Sequence, residues 1–215
     1  MDDGLKDGPA RQVPRLVQTE GLHLCIRPVT PDDRTAIREG LATISPETTY
    51  RRFFVSTFSP DDRELRYLTE VDGQNHVALG AEDCTANPPR GTGVARYVRL
   101  PDAPSVAEAA VIVVDAYQRR GIGSLLLAAL SKRAAECELE HFRSYVLAEN
   151  TGVIEVLRAL GAIKSQAQDG VLQLDVPIYS RHQNLPARPE LERIRWAWRT
   201  IERAEAGDCE TGSAS

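Results

Sequence analysis

The chain has little of what several protein classes require. No apolar run approaches the roughly 20 residues of a membrane-crossing helix. The amino terminus, MDDGLKDGPA, has no basic stretch followed by an apolar core, so it does not read as a signal peptide. Cysteine is scarce and scattered. Cys25, Cys84, Cys137 and Cys209 form no CxxC pair, which predicts reduced thiols and a cytoplasmic setting. His23, His76, His141 and His182 are equally dispersed, so no metal is expected. Positive charge is in deficit: 26 Lys and Arg against 31 Asp and Glu give a net charge of −5. With no basic patch interleaved with aromatics, a nucleic-acid partner is not expected, nor is a membrane. No internal repeat is present. The length suits one soluble domain with extensions.

What is there centres on residues 107–130, AEAAVIVVDAYQRRGIGSLLLAAL. An apolar, β-branched run over 107–114 predicts a buried strand. Asp115, Ala116 and Tyr117 break it. Gln118-Arg119-Arg120-Gly121-Ile122-Gly123-Ser124 then runs straight into a leucine-rich helix. The glycines let backbone approach a ligand closely. The first-turn N–H groups of the helix have no internal partner and, with the helix dipole, suit an anion such as a diphosphate. Arg119 and Arg120 add positive charge beside it.

Taken in order, the chain opens on 1–20, charged and rich in Gly and Pro, which reads as a flexible leader. Residues 22–26 predict a strand. Thr30-Pro31-Asp32-Asp33 is a helix start, with the helix running to Gly40. Ser45-Pro46-Glu47 and Ser59-Pro60-Asp61 repeat that signal. Phe53 and Phe54, after the second start, are expected to seal the core. Strands are predicted over 77–81 and 91–100, followed by a turn over 101–105 that makes the next strand antiparallel. The central helix should run to Cys137, followed by a strand over 142–148. Asn150 or Thr151 should cap a helix ending at Gly161. Two strands flank the hairpin turn Gln168-Asp169-Gly170. A linker then leads to an amphipathic helix over 190–204, with Trp196 and Trp198 expected to cover the molecule's own core. Residues 207–215 read as a disordered tail.

The segment Gln118-Arg119-Arg120-Gly121-Ile122-Gly123 resembles the Gln/Arg-x-x-Gly-x-Gly/Ala diphosphate loop of the GNAT superfamily of N-acetyltransferases. The order of strand, loop, leucine-rich helix, strand and Asn150 strengthens that likeness. Ser45-Pro46-Glu47, Tyr50-Arg51-Arg52-Phe53-Phe54 and Gly93-Val94-Ala95-Arg96-Tyr97 are similar to Pat-type protein lysine acetyltransferases of actinobacterial kind. For the first two segments the resemblance implies a lining of the acceptor side of the cleft, which is compatible with the core role of Phe53 and Phe54. The resemblance implies an α/β (α+β) GNAT fold, a mixed, mostly antiparallel central sheet with helices on both faces plus a carboxyl-terminal helix. The division it suggests is a leader over 1–20, a GNAT domain over 21–178, and linker, amphipathic helix and tail over 179–215.

The resemblance further implies acetyl-CoA as acetyl donor and a primary amine, a protein lysine above all or a small amine, as acceptor. Such an amine is protonated near neutral pH and must lose a proton before it attacks a thioester. Glu108 falls where the family places its general base. Ile112, Val113 and Val114 are implied to hold the pantetheine arm through their backbone, with the Val113 amide polarising the thioester carbonyl. Gln118 to Ser124 are implied to take the diphosphate, and Asn150 the pantetheine or leaving sulfur. A plain helix cap is the competing role for Asn150. Many members carry a Tyr seven or eight residues after this Asn as general acid; here Leu157 and Arg158 stand there. The rival to an enzyme is a non-catalytic acyl-CoA-binding or sensor module, and a homodimer is left open.

Overall fold

In a computed structural model, residues 15–206 are described. One eight-stranded sheet runs through the molecule: β1 (Arg15–Thr19), β2 (Leu22–Pro28), β3 (His76–Asp83), β4 (Arg90–Leu100), β5 (Ala103–Val113), β6 (His141–Leu147), β7 (Ile163–Gln168) and β8 (Val171–Pro177). Their spatial order is β1-β2-β3-β4-β5-β6-β8-β7. Every neighbouring pair is antiparallel except β5 and β6. The helices are α1 (Arg34–Thr43), α2 (Pro46–Phe53), α3 (Asp62–Thr69), α4 (Ile122–Glu136), α5 (Thr151–Ala159) and α6 (Glu192–Ala206).

Local chemistry sets several of these starts. The Ser45 side chain accepts from the Thr48 amide at the α2 terminus. Asp61 and Glu64 form a reciprocal capping box on α3. The strand alternation then sorts residues to two faces. Ala95, Tyr97 and Ala107 pack with the α4 leucines Leu125, Leu126 and Leu130, all essentially inaccessible. Val94, Arg96 and Ala110 face the opposite layer, where Ile37, Leu41 and Ile44 of the α1 region lie. Helices therefore cover both faces. The amphipathic α6 lies along α4 and β1, burying Ile194, Trp198 and Ile201 as the pattern predicts.

Four expectations are corrected. The leader is not loose throughout, because Arg15–Thr19 forms edge strand β1, paired with β2 and burying Val17 and Thr19. Only two of its side chains turn inward, too short an alternation to announce a strand. The turn over 101–105 is shorter: β5 begins at Ala103, so Glu108 stands in mid-strand. Phe53 and Phe54 do not seal the core. Phe53 stacks on Phe58 with ring centroids 4.1 Å apart, and Phe54 is exposed. Asn150 occupies the cap position of α5 but makes no side-chain capping bond. Residues 1–14 and 207–215, where the rest of the leader and the tail were expected, lie outside the described residues.

Candidate active site

The site begins with a failure of strand pairing. β5 and β6 meet in parallel only at Val106–His141, Ala107–Phe142 and Glu108–Arg143. Beyond Glu108 each strand keeps its other neighbour: β5 stays on β4 as far as Val113, and β6 stays on β8 as far as Leu147. The contact between them is what is given up. A cleft of ≈ 540 Å³ fills the resulting fork. Its walls include residues 109–113 of β5, Ser144 to Val146 of β6, and facing positions of α4 and α5.

Which β5 backbone groups reach the cleft follows from the ladder. The Val114 amide donates to the Thr92 carbonyl at 2.9 Å, toward β4. In an antiparallel pair such positions alternate, so Ile112 also spends its backbone on β4 while Val111 and Val113 turn theirs to the open edge. The Val113 carbonyl does accept from Gln118 Nε2 on that side, at 3.1 Å. The expected backbone set is thereby narrowed: the amides of Ile112 and Val114 are committed to the sheet. Gly93, opposite Val113, is required by the close approach of β4 and β5, since a Cβ there would stand 2.6 Å from the Ile112 carbonyl oxygen.

The turn into α4 is built on positive φ at Arg119 (65°) and Gly121 (82°). Gly121 is the helix cap, and no side chain caps the first turn. The first helical bond of that turn runs from the Leu125 amide to the Gly121 carbonyl. The N–H groups of Ile122, Gly123 and Ser124 thus precede the helical ladder. A Cβ on Gly121 would stand 2.9 Å from Trp196 Cζ3 of α6, and Thr19 Oγ1 of β1 donates to the Arg120 carbonyl at 2.8 Å. Gly123 differs. A Cβ there would meet only Val113 Cγ2 at 3.7 Å and Val111 Cγ1 at 3.9 Å, so it would fill cleft space rather than clash with protein.

Arg119, Gly121, Gly123 and Ser124 line the cleft, as do Gln118, Asn150, Val113 and Glu108. Ile122 and Arg120 do not project into it. The Ile122 side chain is buried in the core, which leaves only its backbone for a ligand. The Arg120 guanidinium lies over the Tyr117 ring, 5.7 Å from its centroid.

Glu108 is exposed to the cleft on the face of β5 that carries Ala110, the side toward α2. Arg51, Arg52 and Phe54 line the same end. Burial pulls the Arg52 guanidinium below its usual range, and the Glu108 carboxylate opposes that shift.

Asp115 went unnoticed in the sequence beyond ending a strand. Its carboxylate accepts from the Ser45 amide at 2.8 Å, Ser45 Oγ at 3.0 Å and Thr48 Oγ1 at 2.7 Å. Gln118 Nε2 joins at 3.3 Å and also reaches Thr48 Oγ1 at 3.1 Å. Burial pushes the Asp115 carboxyl up, but these hydrogen bonds outweigh it and hold the group below its ordinary value. One carboxylate therefore fastens the start of α2 to the end of β5. The only available signal was Ser-Pro-Glu at one end and an acid after a strand at the other. Nothing in the order of residues pairs two sites 70 positions apart.

Among the described residues no group of three or more His, Cys, Asp or Glu is arranged to hold a metal, and no helix is long and apolar enough to cross a membrane.

Known proteins share this fold. The model of the acetyltransferase (GNAT) domain matches residues 23–163. The acetyltransferase Pat of Mycolicibacterium smegmatis is 35% identical over 195 residues, covering 89% of this chain and 56% of that protein. The chain thus spans little more than half the length of that relative. The crystal structure of the GNAT domain of S. lividans PAT superposes with a TM-score of 0.68 at 27% identity, covering 79% of this chain and 98% of that one. A cAMP-binding acyltransferase from Mycobacterium smegmatis gives 0.54 at 32% identity, covering 91% and 58%.

Proposed function

Since the chain belongs to the GNAT acetyltransferase family, we propose that it moves the acetyl group of acetyl-CoA directly to a primary amine, most of all a protein lysine side chain, with both substrates bound together. The observation that carries this reading is the fork between β5 and β6, which opens the sheet so that one cleft touches both of its faces. A donor enters along the α4 face, where Gly121, Gly123 and the first-turn amides lie. An acceptor enters from the α2 face, where Glu108 and Phe54 lie. A direct transfer needs the two to meet at one point.

The residues present fit the donor. Gly123 leaves open a cradle that a Cβ would fill, beside backbone N–H groups at a helix start, as a diphosphate requires. The open β5 edge offers strand-type partners to an amide-bearing arm. Acetyl-CoA supplies the activated acyl group as a thioester. In our reading, Glu108 takes the proton of the incoming ammonium, directly or through a water. The Val113 amide donates to the oxygen that gains charge when nitrogen attacks, a type of contact worth about 3 kcal/mol of barrier. Asn150, whose side chain makes no capping bond, is available to the arm or the leaving sulfur. Leu157 is buried and cannot serve as the acid found in many relatives; a thiol is acidic enough to leave without one.

Glu108→Gln is expected to keep acetyl-CoA affinity and to lower turnover about a hundredfold or more near neutral pH. The deficit should shrink at alkaline pH, where free amine no longer depends on the carboxylate. Unchanged turnover across that range would remove Glu108 from the role. Mass spectrometry of a proteome incubated with the protein and labelled acetyl-CoA, beside a panel of free amines, identifies the acceptor. Label confined to small amines would overturn the lysine reading.

A further inference from the structure

The charges on the walls of the cleft do not balance. Arg51, Arg52, Arg119 and Arg193 line it, and Glu108 is the one acid among the described residues that do. Arg119 and Arg193 belong to the α4 turn and to the helix packed along α4. Arg51 and Arg52 belong to the acceptor end. Arg51 pairs with Glu47, one turn before it, at 2.6 Å. Arg52 forms no ion pair or hydrogen bond among the described residues, although burial lowers its pKa. Its guanidinium lies over the Phe53 ring, 4.8 Å from the centroid. A second guanidinium adjoins it. Arg96 of β4 is 8% exposed and lines, with Arg52, the apolar pocket between α1 and the sheet. It donates to the Leu68 carbonyl at 2.8 Å and lies 3.0 Å from His76 Nε2, again with no carboxylate. Burial and the Arg52 charge together bring its pKa down to about 10. Two like charges held this deep cost stability, because burial strips their hydration and no anion replaces it. Glu108 stands near enough to oppose the Arg52 shift, yet the two make no ion pair. The acceptor end thus presents a negative and a positive group side by side, neither neutralised by contact with the other.

We propose that Arg52 determines acceptor specificity and selects a protein lysine flanked by an acidic side chain, the lysine ammonium meeting Glu108 while the flanking carboxylate meets Arg52. This rests on the acceptor reading given above. A lysine that arrives without an anion is repelled by the guanidiniums. One that brings a carboxylate cancels that repulsion and gains a charge-assisted pair. Such a device works by rejecting the wrong partner as much as by holding the right one. The rim favours a polypeptide over a small zwitterion. Phe54 and Tyr145 both line the cleft and are 38% and 41% exposed. Tyr50, one turn before Phe54, and Val55, just after it, are exposed as well and extend the apolar surface. Contiguous exposed apolar side chains around a polar centre suit cover by a protein partner.

Steady-state kinetics of the full chain with acetyl-CoA test the proposal on three peptides, identical except that the residues beside the lysine are Glu, Ala or Arg. The wild type is expected to favour the Glu peptide over the Ala peptide about tenfold in kcat/KM and to use the Arg peptide least. Arg52→Gln is expected to bring the Glu and Ala peptides within about twofold of each other, and Arg52→Lys to keep part of the preference. A thermal melt of each variant separates these changes from unfolding. The ratio between peptides is a readout that a structural role does not move. If Arg52 serves only to keep Glu108 charged, Arg52→Gln slows all three peptides alike. That result, or a wild type indifferent to the flanking residues, would overturn the proposal and leave transfer to lysine standing. A wild-type preference for succinyl-CoA over acetyl-CoA that Arg52→Gln abolishes would also overturn it, by assigning the guanidinium to the acyl group. If the wild type acetylated none of the peptides, the lysine reading itself would fall.

Discussion

Single residues in this protein do two kinds of work, and the structure separates them. Glu108 and the Val113 backbone face the cleft, whereas Asp115 holds the cleft in shape. Asp115 lies below its ordinary pKa because Ser45 and Thr48 donate to it. The stability this adds is complete above the ordinary carboxyl pKa of about 4 and is lost as pH falls through the lower folded value. Asp115→Asn is therefore expected to cost about 1–2 kcal/mol near neutral pH, as one amide oxygen cannot accept what two carboxylate oxygens do. The gap to wild type should narrow in urea melts run progressively below pH 4. A gap independent of pH would assign the loss to shape instead of charge. Since Arg52 of α2 and Phe54 just beyond it line the end of the cleft that we propose for the acceptor, the variant should also raise the acceptor KM more than the donor KM.

Among the elements, the β5–turn–α4 unit is where structure and chemistry meet. Its two glycines are predicted to fail differently. Gly121→Ala forces a Cβ onto positive φ and within 2.9 Å of Trp196, so a stability loss of about 1–3 kcal/mol is expected in thermal or urea melts. Gly123→Ala meets only ordinary contacts, so stability should hold or rise slightly, while acetyl-CoA affinity drops because the methyl group takes up cleft space. Normal affinity in the second variant would argue that the cradle lies elsewhere. The turn and helix were legible in the sequence because glycines, a β-branched run and a leucine-rich run each signal locally. Edge strand β1 was not, since its order comes from β2 beside it and α6 across it.

For the molecule as a whole, α6 is part of the core. Leu191, Ile194, Trp198 and Ile201 are buried, and β1, α4 and α6 are tied together where Glu205 pairs with both Arg15 and Lys132. Burial of each large side chain is worth about 1.5–3 kcal/mol, so removing them together rivals the 5–15 kcal/mol that stabilises a typical domain. A chain truncated after residue 189 is expected to melt far lower or to aggregate, as scattering and circular dichroism would register. Unchanged stability and mass would mean the helix is an appendage.

Taken alone, the order of residues determined the family, the succession of elements after residue 22 and the glycine turn into α4, because each rests on neighbours within a few positions. It also predicted, through helical spacing, that Trp198 faces inward, whereas Trp196, expected to cover the core with it, stays 37% exposed. Only the tertiary structure decided that β5 and β6 part after Glu108, that Val113 and not Ile112 turns its amide outward, and that Asp115 binds Ser45. Those facts depend on which strand keeps which partner and on contacts across 70 or more positions. Chain folding brings such groups together, and no local pattern encodes the meeting.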